Sequence, residues 1–178
     1  MDQLIVLLLA CVVAFARGGK LIKIQRFNFL GFLFIALALE ALAILLRIPA
    51  PYFASLAYVF IIAFLGFNVA TPEFRIVLIG ASLNALVIWS NHGQMPVFHF
   101  EGKSLPGYPP YYHYNEYWHQ LLSRNTIFPF LSDIIYVPFP VPSLISCGDV
   151  FIFTGIALLI QRLFGVPVKL AKLAGVNK

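Results

Sequence analysis

The sequence predicts an all-α fold: a polytopic transmembrane helix bundle of about five spans, with an outer re-entrant or interfacial segment. Three observations predict it. Hydrophobic residues make up 61% of the chain and charged residues 11%, with a mean hydropathy of +0.89, whereas an ordinary soluble domain is roughly a quarter charged. Too little polar surface remains to cover a water-soluble globule. Apolar runs of about span length alternate with short breaks carrying proline and charge, and the basic residues gather on one side of those runs. With 178 residues there is room for about five spans of roughly 20 residues and one sizeable loop, so residues 1–178 read as a single integral membrane domain.

The first run, residues 4–16, ends in Ala14-Phe15-Ala16, which has the form of a signal-peptide cleavage site. Its charge order is reversed. Asp2 precedes the apolar core and Arg17, Lys20, Lys23 and Arg26 follow it, which describes a short retained span with its carboxyl end in the cytoplasm. A second span covers residues 28–46 and stops at Arg47-Ile48-Pro49-Ala50-Pro51. The third covers 53–70, and Thr71-Pro72-Glu73-Phe74-Arg75 turns the chain into the fourth, 76–91. After a long loop, 92–141, the fifth covers 142–160 and gives way to a basic tail from Gln161-Arg162.

Orientation follows from the basic residues. With the amino terminus outside, Arg17, Lys20, Lys23, Arg26, Arg75, Arg162, Lys169, Lys172 and Lys178 are cytoplasmic, against Arg47, Lys103 and Arg124 outside. The expected location is a bacterial cytoplasmic membrane, with the carboxyl terminus cytoplasmic and the 92–141 loop extracytoplasmic. The net charge of +5 belongs to this asymmetry, so the expected partners are membrane lipids and a protein within the membrane, with no nucleic acid. Cys11 and Cys147 lie in apolar stretches without metal-ligand spacing and read as small buried hydrophobes, a disulfide requiring that they meet in space.

The outer loop is no flexible linker. With Pro142 it holds eight of the twelve prolines, and Tyr108 to Trp118 reads Y-P-P-Y-Y-H-Y-N-E-Y-W. Such a stretch suits the head-group layer, either as an aromatic belt or as a platform for carbohydrate or lipid. Residues 127–142, I-F-P-F-L-S-D-I-I-Y-V-P-F-P-V-P, are apolar but too short and too proline-rich to span, so they are expected to fold back over the outer mouth of the bundle, carrying Asp133.

Polar residues within apolar spans mark the candidate site. An ionisable group at mid-bilayer costs on the order of 3 kcal/mol, so such groups turn inward. Glu40 lies seven residues below Arg47, Asn84 seven below Asn91, and Asp149 seven beyond Pro142. At 1.5 Å per residue all three are about 10 Å deep from the outer side. They form either a ligand pocket or a hydrogen-bonded layer that holds the bundle together. Asp149 also falls within the first turns of its helix, where the macrodipole favours the charged form.

His92, Met95 and His99 would suit copper and His113 or His119 with Asp133 would suit zinc, but no pair stands at a helical ligand spacing within an evident helix, so no metal and no cofactor is expected. Phosphate-binding glycine loops, dinucleotide fingerprints and nucleophile elbows are lacking.

Four runs together carry a resemblance: N-H-G-Q-M-P-V at Asn91 to Val97, His119 ahead of Leu121-Leu122 and Thr126, F-L-S-D-I-I at Phe130 to Ile135, and S-C-G-D-V-F-I-F-T-G at Ser146 to Gly155. They resemble a family of small five-span bacterial membrane proteins known as a domain of unknown function, with the pattern N-G-G-x-M-P, a histidine, L-G-D-I-I, then S-x-G-D and a glycine six residues on. The resemblance singles out Asn91, Gly93, Met95, Pro96, His119, Asp133, Gly148, Asp149 and Gly155. It implies a shared architecture and a shared outer-face site, and no activity. This chain departs from the pattern at His92 and Ser132, where the family has glycine.

The ligand-binding candidates are therefore Glu40, Asn84, Asn91, His119, Asp133 and Asp149, in a pocket for a lipid, a small ligand or a partner protein. Asp133 and Asp149 also look like the closing half of lipoprotein signal peptidases, which would make them a catalytic aspartate pair sharing a proton. The upstream motifs of that family are missing.

Overall fold

The computed structural model describes residues 2–22, 27–46, 50–98, 118–138 and 142–166. Most of these residues are helical: α1 (Asp2–Ala16), α2 (Leu30–Leu46), α3 (Ala50–Phe67), α4 (Pro72–Ser90) and α5 (Cys147–Leu163). Two small sheets correct the all-α expectation. Strand β1 (Met95–Val97) pairs in parallel with β2 (His119–Leu121), and β3 (Ile135–Val137) pairs antiparallel with β4 (Ser143–Ile145). Prolines at 96, 138 and 142 deny the loop an α-helix, Pro129 opens a single 3-10 turn (Pro129–Leu131), and short extended pairs satisfy much of the remaining backbone.

The starts of α3, α4 and α5 depart from the sequence reading in ways that proline and capping account for. The segment Thr71–Arg75 was expected as a turn, but α4 begins at Pro72 with Thr71 as its N-cap residue. Proline fits a first helical turn, where its missing N–H would have had no partner. The same tolerance lets α3 start at Ala50, ahead of Pro51. Helix α5 starts at Cys147 and not near Pro142, because Ser143–Ile145 pairs with β3 and Ser146 caps the helix.

Among the described residues only Pro72–Ser90 is both long and apolar enough to cross a bilayer; Val6–Ala16, Leu30–Ala43 and Pro51–Phe67 are apolar but shorter. A bundle of five spans is therefore not established by helix length.

Helices α4 and α5 form the most extensive contact, running antiparallel so that Gly80 faces Gly148, Val77 faces Gly155 and Glu73 faces Arg162. Small residues let the backbones approach closely. A Cβ built on Gly80 would collide with the Gly148 carbonyl and lie 2.9 Å from the Ile152 nitrogen; one on Gly155 would lie 3.0 Å from the Glu73 carbonyl. Phe64, Leu65, Phe74, Val77 and Ala81 form the adjoining core, with the Phe64 and Phe74 rings edge-to-face at 5.6 Å. Helix α1 packs on α5 through Ala10, Ala14 and Ile160.

Polar clasps close the end opposite the loop. Asn68 accepts from the Asn28 nitrogen at 2.8 Å and returns a bond to the Asn28 carbonyl at 2.8 Å, fixing the entry to α2. Arg162 pairs with Glu73 at 2.9 Å, and Gln161 donates to the Ala10 carbonyl at 2.9 Å. Cys11 and Cys147 are both free.

Gly148→Ala and Gly155→Ala should each destabilise the detergent-solubilised protein by about 1–3 kcal/mol, because backbone atoms have to move apart. Gly31 and Gly66 have open space around them. Alanine there should be neutral or stabilising by up to about 1 kcal/mol. Thermal midpoints of the four variants check this contrast; equal losses would refute the role given to the α4–α5 glycines.

Candidate functional site

The site begins with the cap of α5. Ser146 precedes the helix in an extended conformation, and its side chain accepts from the Asp149 nitrogen at 3.0 Å, while Asp149 Oδ2 accepts from the Ser146 nitrogen at 3.0 Å. This reciprocal box satisfies two helix-end donors and fixes the Asp149 carboxylate over the first turn. Helix α4 supplies the third partner. Asn84, 2% exposed, donates to Asp149 Oδ1 at 2.8 Å. Ser146 Oγ has one proton and two acceptors within reach, Asn84 Oδ1 at 2.7 Å and Asp149 Oδ2 at 2.9 Å. A side chain at Gly148 would stand on the Asn84 amide, so the glycine is what allows this cluster to close.

The loop adds the second half. The Met95 nitrogen donates to the Trp118 carbonyl at 2.9 Å, which sets β2 beside β1. Asp133 is drawn to the other side of β1: its nitrogen donates to the Pro96 carbonyl at 2.9 Å and its carbonyl accepts from the Phe98 nitrogen at 3.0 Å. His119 and Asp133 thus flank one strand, with Nε2 and Oδ2 3.6 Å apart. Asp133 is nearly enclosed and His119 partly open.

A cavity of about 170 Å³ joins the halves, and Glu40, Tyr58, Asn84, Trp118, His119, Asp133 and Asp149 are among its lining residues. Five of the six ligand-binding candidates meet there. The sixth, Asn91, is set apart from it: its side chain donates to the Val87 and Ile127 carbonyls at 2.8 and 2.9 Å and accepts from the Ile127 nitrogen at 3.0 Å. It clasps the returning loop onto the end of α4.

The two aspartates line the same cavity with different partners, Asp149 held by Ser146 and Asn84, Asp133 facing His119. Among the described residues no three of His, Cys, Asp and Glu are grouped to hold a metal ion. His99, His113 and the aromatic stretch up to Tyr117 lie outside the described residues.

Ser146, Tyr58 and Trp118 were not singled out as site residues from the sequence. Ser146 had a readable signal, the S-x-x-D spacing of a capping box. Tyr58 is a hydroxyl-bearing residue inside an apolar run, and Trp118 closes the aromatic stretch. His92 explains one departure from the resemblance pattern: it sits at φ 60° and Gly93 at φ 84°, a left-handed pair in which glycine is the unstrained residue. Ser132, the other departure, has φ −72°, which asks for no glycine.

Fold and site define a mainly helical protein with a polar cavity capped by a short β-paired loop. The chain belongs to a family of unknown function, DUF5317, whose profile matches residues 20–161. That agrees with the resemblance to a domain of unknown function carried by the Asn91–Val97 and Ser146–Gly155 runs. No curated protein and no solved structure matches the chain.

Asn91→Ala should free Ile127 and loosen the loop while leaving α4 and α5 packed. The expected result is faster amide exchange across residues 118–138 with little change in α5; unchanged exchange there would remove the clasp role.

Proposed function

We propose that this is a multi-pass membrane protein, its amino terminus outside, whose outward-facing cavity binds a small ligand bearing a positive charge. The observation that carries this reading is the lining itself. Three carboxyl groups from three separate parts of the chain, Glu40, Asp133 and Asp149, meet one imidazole and two aromatic faces, Tyr58 and Trp118, and among the described residues no Lys or Arg joins the lining. Carboxylates offer an ammonium group charge-assisted hydrogen bonds, and indole or phenol faces attract it further. At about 30 Å³ per water, the volume suits a ligand about the size of five or six waters.

The membrane part of the reading is supported by the apolar residues left on the outside. Leu8, Val12 and Phe15 on α1, Phe34, Leu37 and Leu45 on α2, and Leu56 and Val59 on α3 are all exposed. In water so many exposed large apolar side chains would be a liability; in lipid they are the expected exterior. Shorter helices are accommodated by bilayer thinning or by flanking residues that reach the interface.

Reporter fusions after residues 22, 73 and 178 should be cytoplasmic and one near residue 104 extracytoplasmic, following the basic-residue asymmetry. An outside carboxyl terminus would reverse the cavity's orientation.

For the ligand, methylammonium should raise the thermal midpoint of the solubilised protein by about 2–4 °C per kcal/mol of binding linkage, and sodium acetate should not. Glu40 makes no hydrogen bond or ion pair among the described residues. Glu40→Gln should therefore abolish the shift and preserve the fold. Equal responses to the two compounds would sink the cation reading.

A second reading, an aspartyl peptidase, is favoured only by Asp133 and Asp149 lining one cavity. It requires cleavage of a lipid-modified signal peptide that Asp133→Asn and Asp149→Asn each abolish.

A further inference from the structure

A second cavity of about 420 Å³ lies between α1 and α5 and shares no lining residue with the carboxylate cavity. Val6, Val13, Thr154 and Ala157 line its length, and Arg17 and Gln161 stand at one end. Among the described residues no acidic side chain lines it. We propose that this groove seats one acyl chain of an anionic phospholipid of the cytoplasmic leaflet, with the phosphate held at Arg17 and Lys20. The inference rests on the membrane reading above.

Length supports this occupant. From Arg17 to Val6 the α1 wall rises eleven residues, or about 16 Å at 1.5 Å per residue. One leaflet's share of a hydrocarbon core about 30 Å thick is about 15 Å. The groove therefore matches a single leaflet, measured from a basic end.

Arg17 is pre-positioned at that end. Its Nη1 donates to Gln161 Oε1 at 2.8 Å and to the Val166 carbonyl at 3.0 Å, and Gln161 is itself anchored on the Ala10 carbonyl. Nε and Nη2 have no hydrogen-bond partner among the described residues, and the side chain is exposed. A guanidinium held by one nitrogen keeps a fork of donors for phosphate. Lys20 is exposed at the same end, its backbone nitrogen bonded to the Phe164 carbonyl at 3.0 Å. Charge complementarity selects an anionic head group over a zwitterionic one. A partner's transmembrane helix could fill the apolar walls but would have no use for the two cations.

The test is native mass spectrometry of the full chain in detergent with equimolar phosphatidylglycerol and phosphatidylcholine. One phosphatidylglycerol should be retained with roughly thirtyfold preference, the scale of two basic residues at a membrane surface. Arg17→Ala should cut the preference to about fivefold, and adding Lys20→Ala should remove it. Thr154→Trp changes an exposed α5 residue and leaves Arg17 in place, so it should remove retention of both lipids by filling the groove. Equal retention of the two lipids by the unaltered protein, phosphatidylglycerol retention undiminished in Thr154→Trp, or a co-purifying helical subunit in place of lipid would each overturn the proposal. Recovery of the chain from the soluble fraction, before any lipid is added, would instead overturn the membrane reading and this proposal with it.

Discussion

The contact between α4 and α5 governs the rest of the structure, and it closes around one buried amide. Asn84 donates to Asp149 Oδ1 and lies 2.7 Å from Ser146 Oγ, and it can do so only because position 148 has no side chain. Hydrogen bonds to an ionisable group are worth about 1.5–3 kcal/mol, and more is lost when a buried partner is left unsatisfied. The cluster therefore sets the register of two helices as well as their closeness. A shift of one residue along α5 would bring Cβ atoms onto the Gly80 surface and leave Asn84 without acceptors.

From that lock the loop inherits its path. Ser146 ends β4, β4 pairs with β3, and the chain just before β3 carries Asp133 to the edge of β1. Each step is a backbone pairing that a proline-rich segment can still make, since its remaining N–H and carbonyl groups need partners wherever helix is denied. Asn91 then ties the returning chain to the end of α4 through Ile127. The cavity is consequently walled by helices on one side and by paired loop on the other, which explains how residues from positions 40 to 149 come to share it.

The two ends of the bundle are chemically opposite. Among the described residues the cavity is lined by three carboxyls, one imidazole and the Tyr58 phenol, while the other end holds Arg17, Lys20, Arg75 and Arg162, with Glu73 paired to Arg162. Arg75 donates to the Val69 carbonyl at 2.7 Å and steadies the turn into α4. On the membrane reading this polarity is a transverse one, with acidic chemistry facing out and basic groups meeting the anionic cytoplasmic leaflet.

Apolar run length and the breaks between runs were enough to locate five helices, because burying or lipid-facing side chains must recur over a whole helix and so write themselves into composition. Spacing from the expected span ends grouped Glu40, Asn84 and Asp149, but helix rise accounts only for Glu40 and Asn84: Asp149 is the third residue of α5, because the residues before Ser146 form β4, and it is the capping box that places its carboxylate. Helix starts were less legible: Pro51 and Pro72 look like breakers, and only the surrounding chain shows that they occupy first turns. The β pairs and the duty of Asn91 as a clasp were beyond the sequence altogether. Those depend on which distant strand offers a free backbone edge, a question of three-dimensional register to which no local pattern of residue types responds. What this chain determined by itself is where its apolar segments and their polar exceptions lie; what only the tertiary structure decided is which exceptions face one another, because hydrogen-bond partners are chosen by packing after the helices have formed.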